Sequence, residues 1–175
     1  MNGYPPRRFR ALLATSIATL ALLSQVLPAH AGGAAVVAFA TGSGQTIVSG
    51  ELRTFSFTAR LDSDGVATGM AQVDNRAINE MFQLRVDCFR VVGSLAIVGG
   101  VITRHTDTHA IGLTGIFAVL DSGEGLVDPT DQVTQVFFFR PGVISCADVG
   151  PEDAAPFLVP IDAGNVEVGA TGGGA

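Results

Sequence analysis

The stretch RTFSFTARLDSDGVATGMAQV, residues 53–73, decides the fold class. Phe55, Phe57, Ala59 and Leu61 alternate with Thr54, Ser56, Thr58 and Arg60, so an extended chain buries one face and wets the other. That is the signature of a half-buried antiparallel strand. Asp62-Ser63-Asp64-Gly65 supplies turn residues, and VATGMAQV begins the returning partner.

The same period recurs on both sides. FQLRVDC sets Phe82, Leu84, Val86 and Cys88 against Gln83, Arg85 and Asp87, which points Cys88 inward. Gly93-Ser94 reads as a two-residue hairpin of type II′, with glycine where positive φ is required. Gly99-Gly100 marks a bulge or sharp bend in the returning strand. AIGLTGIFAVL (110–120) and QVTQVFFFR (132–140) are the next strands, and a last one falls near NVEV. With AAVVAFA at the front, about eight strands at hairpin spacing predict an all-β single antiparallel meander, with a barrel favoured over a sandwich. The one candidate helix is NRAINEM (75–81), about two turns long by its length.

Residues 1–31 read as a secretory signal peptide. Arg7, Arg8 and Arg10 precede the apolar run from Ala11 to Leu27, and Ala29-His30-Ala31 offers a small-residue cleavage site. The expected organisation is therefore a signal at 1–31, an all-β domain at 32–168, and a disordered glycine-rich tail at 169–175. The implied destination is secreted or extracytoplasmic, with no stable membrane anchor after cleavage; general secretion is favoured over the twin-arginine route.

The segment after residue 31 holds all sixteen acidic residues but seven of the ten basic ones, a formal charge of −9, and no Lys. A surface this acidic repels phosphate backbones, which argues against nucleic-acid binding. It also holds neither Trp nor Tyr, which argues against a carbohydrate module. Cys88 and Cys146 in an exported chain are expected to form a disulfide. Closing that loop of about 58 residues stabilises the fold by roughly 4 kcal/mol in the chain-entropy treatment.

Four carboxylates, Asp121, Glu124, Asp128 and Asp131, crowd LDSGEGLVDPTDQV (120–133). Oxygen ligands spaced along a glycine-containing loop suit calcium, the one cofactor the sequence admits. Their spacing departs from the EF-hand loop, and the favoured reading is a solvated connection between two strands. His105 and His109 form an alternative metal pair if Thr106-Asp107-Thr108 makes a hairpin loop that sets them opposite each other. No nucleotide-binding glycine fingerprint, nucleophile elbow or other catalytic template is present, so the chain leans away from an enzyme. In VFFFR, Phe137 and Phe139 take one face and Phe138 the other, with core packing favoured over an interface.

VDCFRVVGSLAIVGGVIT, GIFAVLDSGEGLVDPTDQV and the late CADV resemble a group of small exported bacterial β-rich proteins of unassigned function. The likeness lies in the Cys-x-x-Val-x-Gly hairpin, the D-x-G-E-G turn and a second Cys, and spans Phe55 to Val168. It implies that the acidic turn belongs to the architecture, and it brings no activity. A looser similarity to lipocalin-like and dirigent-like barrels is one of fold alone. The expected function is a secreted non-catalytic β-domain acting by extracellular binding or association, with homo-oligomerisation compatible. The alternative is a barrel that binds or isomerises a small hydrophobic ligand lined by Phe55, Phe57, Phe82, Phe117 and Phe137.

Overall fold

The computed structural model describes residues 34–123 and 130–171. The expected signal segment, Glu124, Asp128 and the last four residues of the expected tail lie outside the described residues. Ten strands form one antiparallel sheet: β1 (Val36–Val48), β2 (Glu51–Asp62), β3 (Ala67–Asn75), β4 (Glu80–Val92), β5 (Leu95–His105), β6 (Thr114–Leu120), β7 (Gln132–Val133), β8 (Phe137–Phe139), β9 (Val159–Pro160) and β10 (Ala163–Ala170). Their order is β10-β1-β2-β3-β4-β5-β6-β7-β9, with β8 also paired to β6. The sheet curls into a half-barrel, so the all-β meander and its barrel curvature are as the alternation predicts.

Inside the curl, Phe55, Phe57, Phe82, Leu84, Val98, Ile102, Phe117, Val119 and Val166 form the main core. Gly42 and Gly44 of β1 sit opposite Phe57 and Phe55 on β2. A Cβ on Gly42 would meet the Phe57 ring at 3.0 Å and Val166 at 2.6 Å, and one on Gly44 would meet Ile161 at 2.9 Å. The G-x-G of TGSGQTI is thus room for two aromatic rings, which cover the strand where it lacks side chains.

A second layer covers β5 and β6 from outside. Two 3₁₀ turns, Cys146–Asp148 and Ala155–Phe157, flank the short helix α1 (Pro151–Ala154). Leu95, Ile97, Ile116, Ala118, Cys146 and Ala154 pack there with Phe139, Ile144 and Leu158. Covered on both faces, β5 and β6 read as continuous apolar runs, as LAIVGGVI and GIFAVL do. The Cys88–Cys146 disulfide, with Cα atoms 5.8 Å apart, ties this cover to β4. Arg90 also donates to the carbonyls of Ala147 at 3.4 Å and Val149 at 3.2 Å.

Several local expectations are corrected, three of them by bulges. Cys88 does not point inward, because two residue steps on β4 (Val86 to Cys88) face one on β5 (Gly100 to Gly99). The extra residue flips the parity, so Phe89 enters the core and Cys88 faces outward. The bulge expected at Gly99-Gly100 therefore lies opposite them, on β4. Its glycines still matter: a Cβ at Gly99 would meet the Cys88 sulfur at 2.6 Å, and one at Gly100 would collide with the Arg85 carbonyl.

QVTQVFFFR is likewise not one strand. Four steps from Val133 to Phe137 face three on β6, from Val119 to Ile116. The break falls where the Thr134 hydroxyl accepts from the Ala118 N–H at 2.9 Å, a side chain replacing a ladder carbonyl. This split and the short β9 raise the strand number above eight. NRAINEM is no helix: residues 76–79 form a turn, with the Asn75 side chain accepting from the Ala77 N–H at 3.2 Å and Asn79 at φ 52°. The last strand runs through Gly169 and Ala170, and Thr171 N–H donates to Val37 at 2.7 Å, so ordered chain extends past the expected boundary at 168. The Gly93-Ser94 turn has positive φ at Gly93 (62°) and not at Ser94, as type II′ requires.

Gly99→Ala is expected to lower stability by about 1–3 kcal/mol through overpacking against the disulfide. In a Cys88→Ala, Cys146→Ala background the same change should cost less than half as much, measured by denaturant unfolding of all four proteins.

Candidate functional site at the barrel mouth

The carboxylates of the acidic stretch come first, because their geometry closes the fold. β10 pairs with β1 on one side, leaving the N–H groups of Val166 and Val168 on its free edge. Val166 donates to Asp131 Oδ2 and Val168 to Asp121 Oδ2, each at 2.9 Å. The second oxygen of each is also used: Asp131 Oδ1 accepts from Ser122 N–H and Asp121 Oδ1 from Gly123 N–H, both at 2.9 Å. Two side chains, one on each side of residues 124–129, thus latch the far edge of the sheet. Near β9, Ile161 N–H donates to Asp131 O at 2.8 Å and Asp162 N–H to Gln45 O at 2.9 Å, which completes the seam.

Asp121 and Asp131 are therefore brought together as backbone acceptors. Among the described residues there is no cluster of three or more His, Cys, Asp or Glu side chains arranged to hold a metal ion. His105 and His109 are not brought together. A 3₁₀ turn, Thr108–Ala110, replaces the expected hairpin loop, Asp107 caps it by accepting from His109 N–H at 3.0 Å, and His109 is exposed. The cross-strand partner of His105 is Phe82.

His105 instead helps to build one end of the barrel. From Arg104 to Ile102 β5 takes two steps against one on β4, and this bulge turns the ring inward. It stacks on Phe82 at 5.7 Å and meets Phe138 edge-on at 5.6 Å. Nδ1 accepts from Asp107 N–H at 2.9 Å, and Nε2 faces Glu80 Oε1 at 3.3 Å without hydrogen-bond alignment.

Beside this cluster lies a cavity of about 70 Å³. Phe55, Phe57, Phe82 and Phe117 line it, with Val73, Val133 and Val136. Phe137 does not: the extra residue between β7 and β8 turns it outward onto Phe157 at 5.0 Å, and Phe138 takes the inner place. Phe137 and Phe139 share a face and Phe138 takes the other, as their spacing requires.

The polar groups around the cavity are mostly committed. Thr46 Oγ1 donates to Pro160 O and Thr134 Oγ1 to Gln135 O, each at 2.9 Å. Arg53 lines the wall, with Nη2 3.6 Å from Glu51 Oε2, and that carboxylate accepts from the fully buried Asn75 at 2.7 Å. Among the described residues the buried Arg53 Nε–H has no acceptor. Glu80 follows Arg53 and Asn75 in one cross-strand row over β2, β3 and β4, and is half-buried.

Arg53, Glu80, Asn75 and Phe138 were not among the candidates from sequence. A signal was present: Glu51, Arg53, Asn75 and Glu80 each share strand parity with core positions, two apart from Phe55, Val73 or Phe82 in series. Polar and charged residues on an inward parity, all toward strand ends, mark a polar mouth. Comparison of the chain with protein-family models, curated proteins and solved structures finds no match.

An Asp121→Asn, Asp131→Asn protein would present an amide donor to a backbone N–H at each latch. It is expected to lose about 3 kcal/mol of stability. Thermal unfolding in millimolar calcium and in chelator should show the same loss, since both carboxylates act on the backbone.

Proposed function

We propose that the chain is an exported, non-catalytic binding domain that takes a small apolar ligand at the mouth of its barrel. The observation that carries this is the cavity itself: beside the packed core of the curl, an end ringed by Phe55, Phe57, Phe82, Phe117 and Phe138 holds about 70 Å³. Apolar walls with a few placed polar groups are the usual make-up of small-molecule sites. Room on this scale corresponds to roughly five water-sized probes, which suits a ligand of few atoms.

Export and action outside the cytoplasm are supported by the N-terminal pattern and by a disulfide that belongs to oxidising compartments. No helix among the described residues is long and apolar enough to cross a membrane. Non-catalytic action is supported by the commitment of the Asp121 and Asp131 carboxylates to backbone hydrogen bonds.

A second reading, association with a macromolecular partner, draws on the outer face of β1 to β4. Ser43, Ser56, Gln72 and Gln83 lie in one cross-strand row there, with Gln83 donating to Gln72 at 3.1 Å. Such an uncharged row resists neither a neutral surface nor a second copy.

Benzene titrated into the isotope-labelled protein is expected to give saturable chemical-shift changes confined to the five phenylalanines and Val136. Val73→Phe, which fills the cavity from the rim of β3, should abolish them while leaving the fold intact by circular dichroism. Scattered or absent shifts in the parent protein would remove the ligand reading and leave surface association.

A further inference from the structure

Between the outer face of β6 and β8 and the cover that follows them lies a second opening, a cleft of about 250 Å³. We infer that it binds a free alkylammonium compound, with the hydrocarbon chain laid among Phe137, Phe139 and Phe157 and the cationic head in water at the rim, beside Asp153. This goes beyond the barrel-mouth reading and stands without it.

The cleft follows from the strand break after β7. The extra residue between Val133 and Phe137 sends Phe137 and Phe139 to the outside of the sheet, where Ile116 and Ala118 of β6 lie beside them. Ile144, Val149, Ala154 and Phe157 of the cover make the opposite wall. Phe157 meets the Phe137 ring edge-on at 5.0 Å and is still 49% exposed, so an apolar guest covers ring surface that the protein itself leaves wet. The space exceeds the roughly 150 Å³ that suffices for benzene in an apolar protein cavity.

The walls dictate what lies inside. Among the described residues that line the cleft, Thr134 carries the only hydroxyl. It is already used twice, accepting from Ala118 N–H and donating to Gln135 O, each at 2.9 Å. A polar group pushed into the cleft would lose its hydration and find no partner, so the buried part of the ligand is hydrocarbon.

The charge at the rim decides the head group. Asp153 is the one charged residue among those described along the cleft, and its side chain is exposed. Its Oδ2 accepts from Gly150 N–H at 2.9 Å, which fixes the carboxylate, and among the described residues no cation is paired with it. Residues 140–158, which supply the outer wall, set Arg140 against Asp148, Glu152 and Asp153, within a domain of formal charge −9 from sixteen acidic and seven basic residues. This field attracts an ammonium and repels a carboxylate on a chain of the same length. Because the carboxylate is exposed, the preference over an uncharged head is modest and is screened by salt.

The test titrates three probes of equal non-hydrogen atom count, hexylammonium, 1-hexanol and pentanoate, by chemical-shift mapping at low ionic strength. All three are expected to shift Phe137, Phe139, Phe157 and Ile144, with hexylammonium about three- to fivefold tighter than hexanol and pentanoate weakest. Asp153→Asn keeps an acceptor for Gly150 N–H and loses the charge; it should bring hexylammonium down to hexanol while leaving hexanol unchanged, as should added salt in the parent protein. Phe157→Ser, at a half-exposed position whose loss leaves the fold intact by circular dichroism, should weaken every probe about tenfold. Equal affinities for the amine and the alcohol, a preference for pentanoate, an amine preference that survives in Asp153→Asn, or no binding at all would each overturn the inference. Val73→Phe, which fills the barrel mouth, should leave these titrations unchanged, and shifts that disappear in that variant would assign the probes to the mouth and overturn the cleft.

Discussion

The structure depends on how a sheet closes when its last strand has a neighbour on one side alone. β10 gives one edge to β1 and has nothing to pair with on the other. An unpaired strand edge is an invitation to foreign strands and a row of unsatisfied donors. Here the two inward-parity residues on that edge, Val166 and Val168, hand their N–H groups to the carboxylates of Asp131 and Asp121. The bonds are charge-assisted and stronger than neutral ones. They hold the two ends of the curl together over a core of phenylalanine and valine, while the ladder with β1 sets Val166 against Gly42.

The alternation of RTFSFTARL and of FQLRV was legible because a strand with one wet face has no other stable reading. What could not be read was where the alternation slips. Three single-residue bulges, near Asp87, near Thr103 and between Val133 and Phe137, decide that Cys88 faces out, that His105 faces in, and that Phe138 and not Phe137 meets the cavity. A bulge leaves no composition of its own in these places: Thr103 and Asp87 are ordinary strand residues. Only the facing strand shows the mismatch, and that pairing is a tertiary fact. The Gly99-Gly100 pair was the partial exception, since it marked the level of one slip while misplacing it by a strand.

The candidate site was legible to the same extent. Phe55, Phe57, Phe82 and Phe117 follow from parity alone. Arg53 and Glu80 also follow parity, yet a charged residue at a strand end is ordinarily read as solvent-facing, and their place on one cavity wall emerges only when β2, β4 and β8 are set around one opening. The acidic stretch was the opposite case. Its carboxylates drew attention as ligands for a cation, and two of them turn out to be ligands for the protein's own backbone, which agrees with their place in a connection between strands.

The seam also sets an order of events. β1 finds its second neighbour only in residues 163–170, more than a hundred positions later, and the latch joins residues 35 and 47 apart in the chain. Neighbouring hairpins from β1 to β6 need only local loop closure, whereas this contact comes late by any route. During synthesis, the far edge of β1 with its two glycines stays bare until the final strand has emerged. Contacts that form after the folding barrier govern how slowly a protein comes apart more than how quickly it assembles. A bond across such a late seam, as those of Asp121 and Asp131 are, bears on the rate of unfolding more than on the rate of folding.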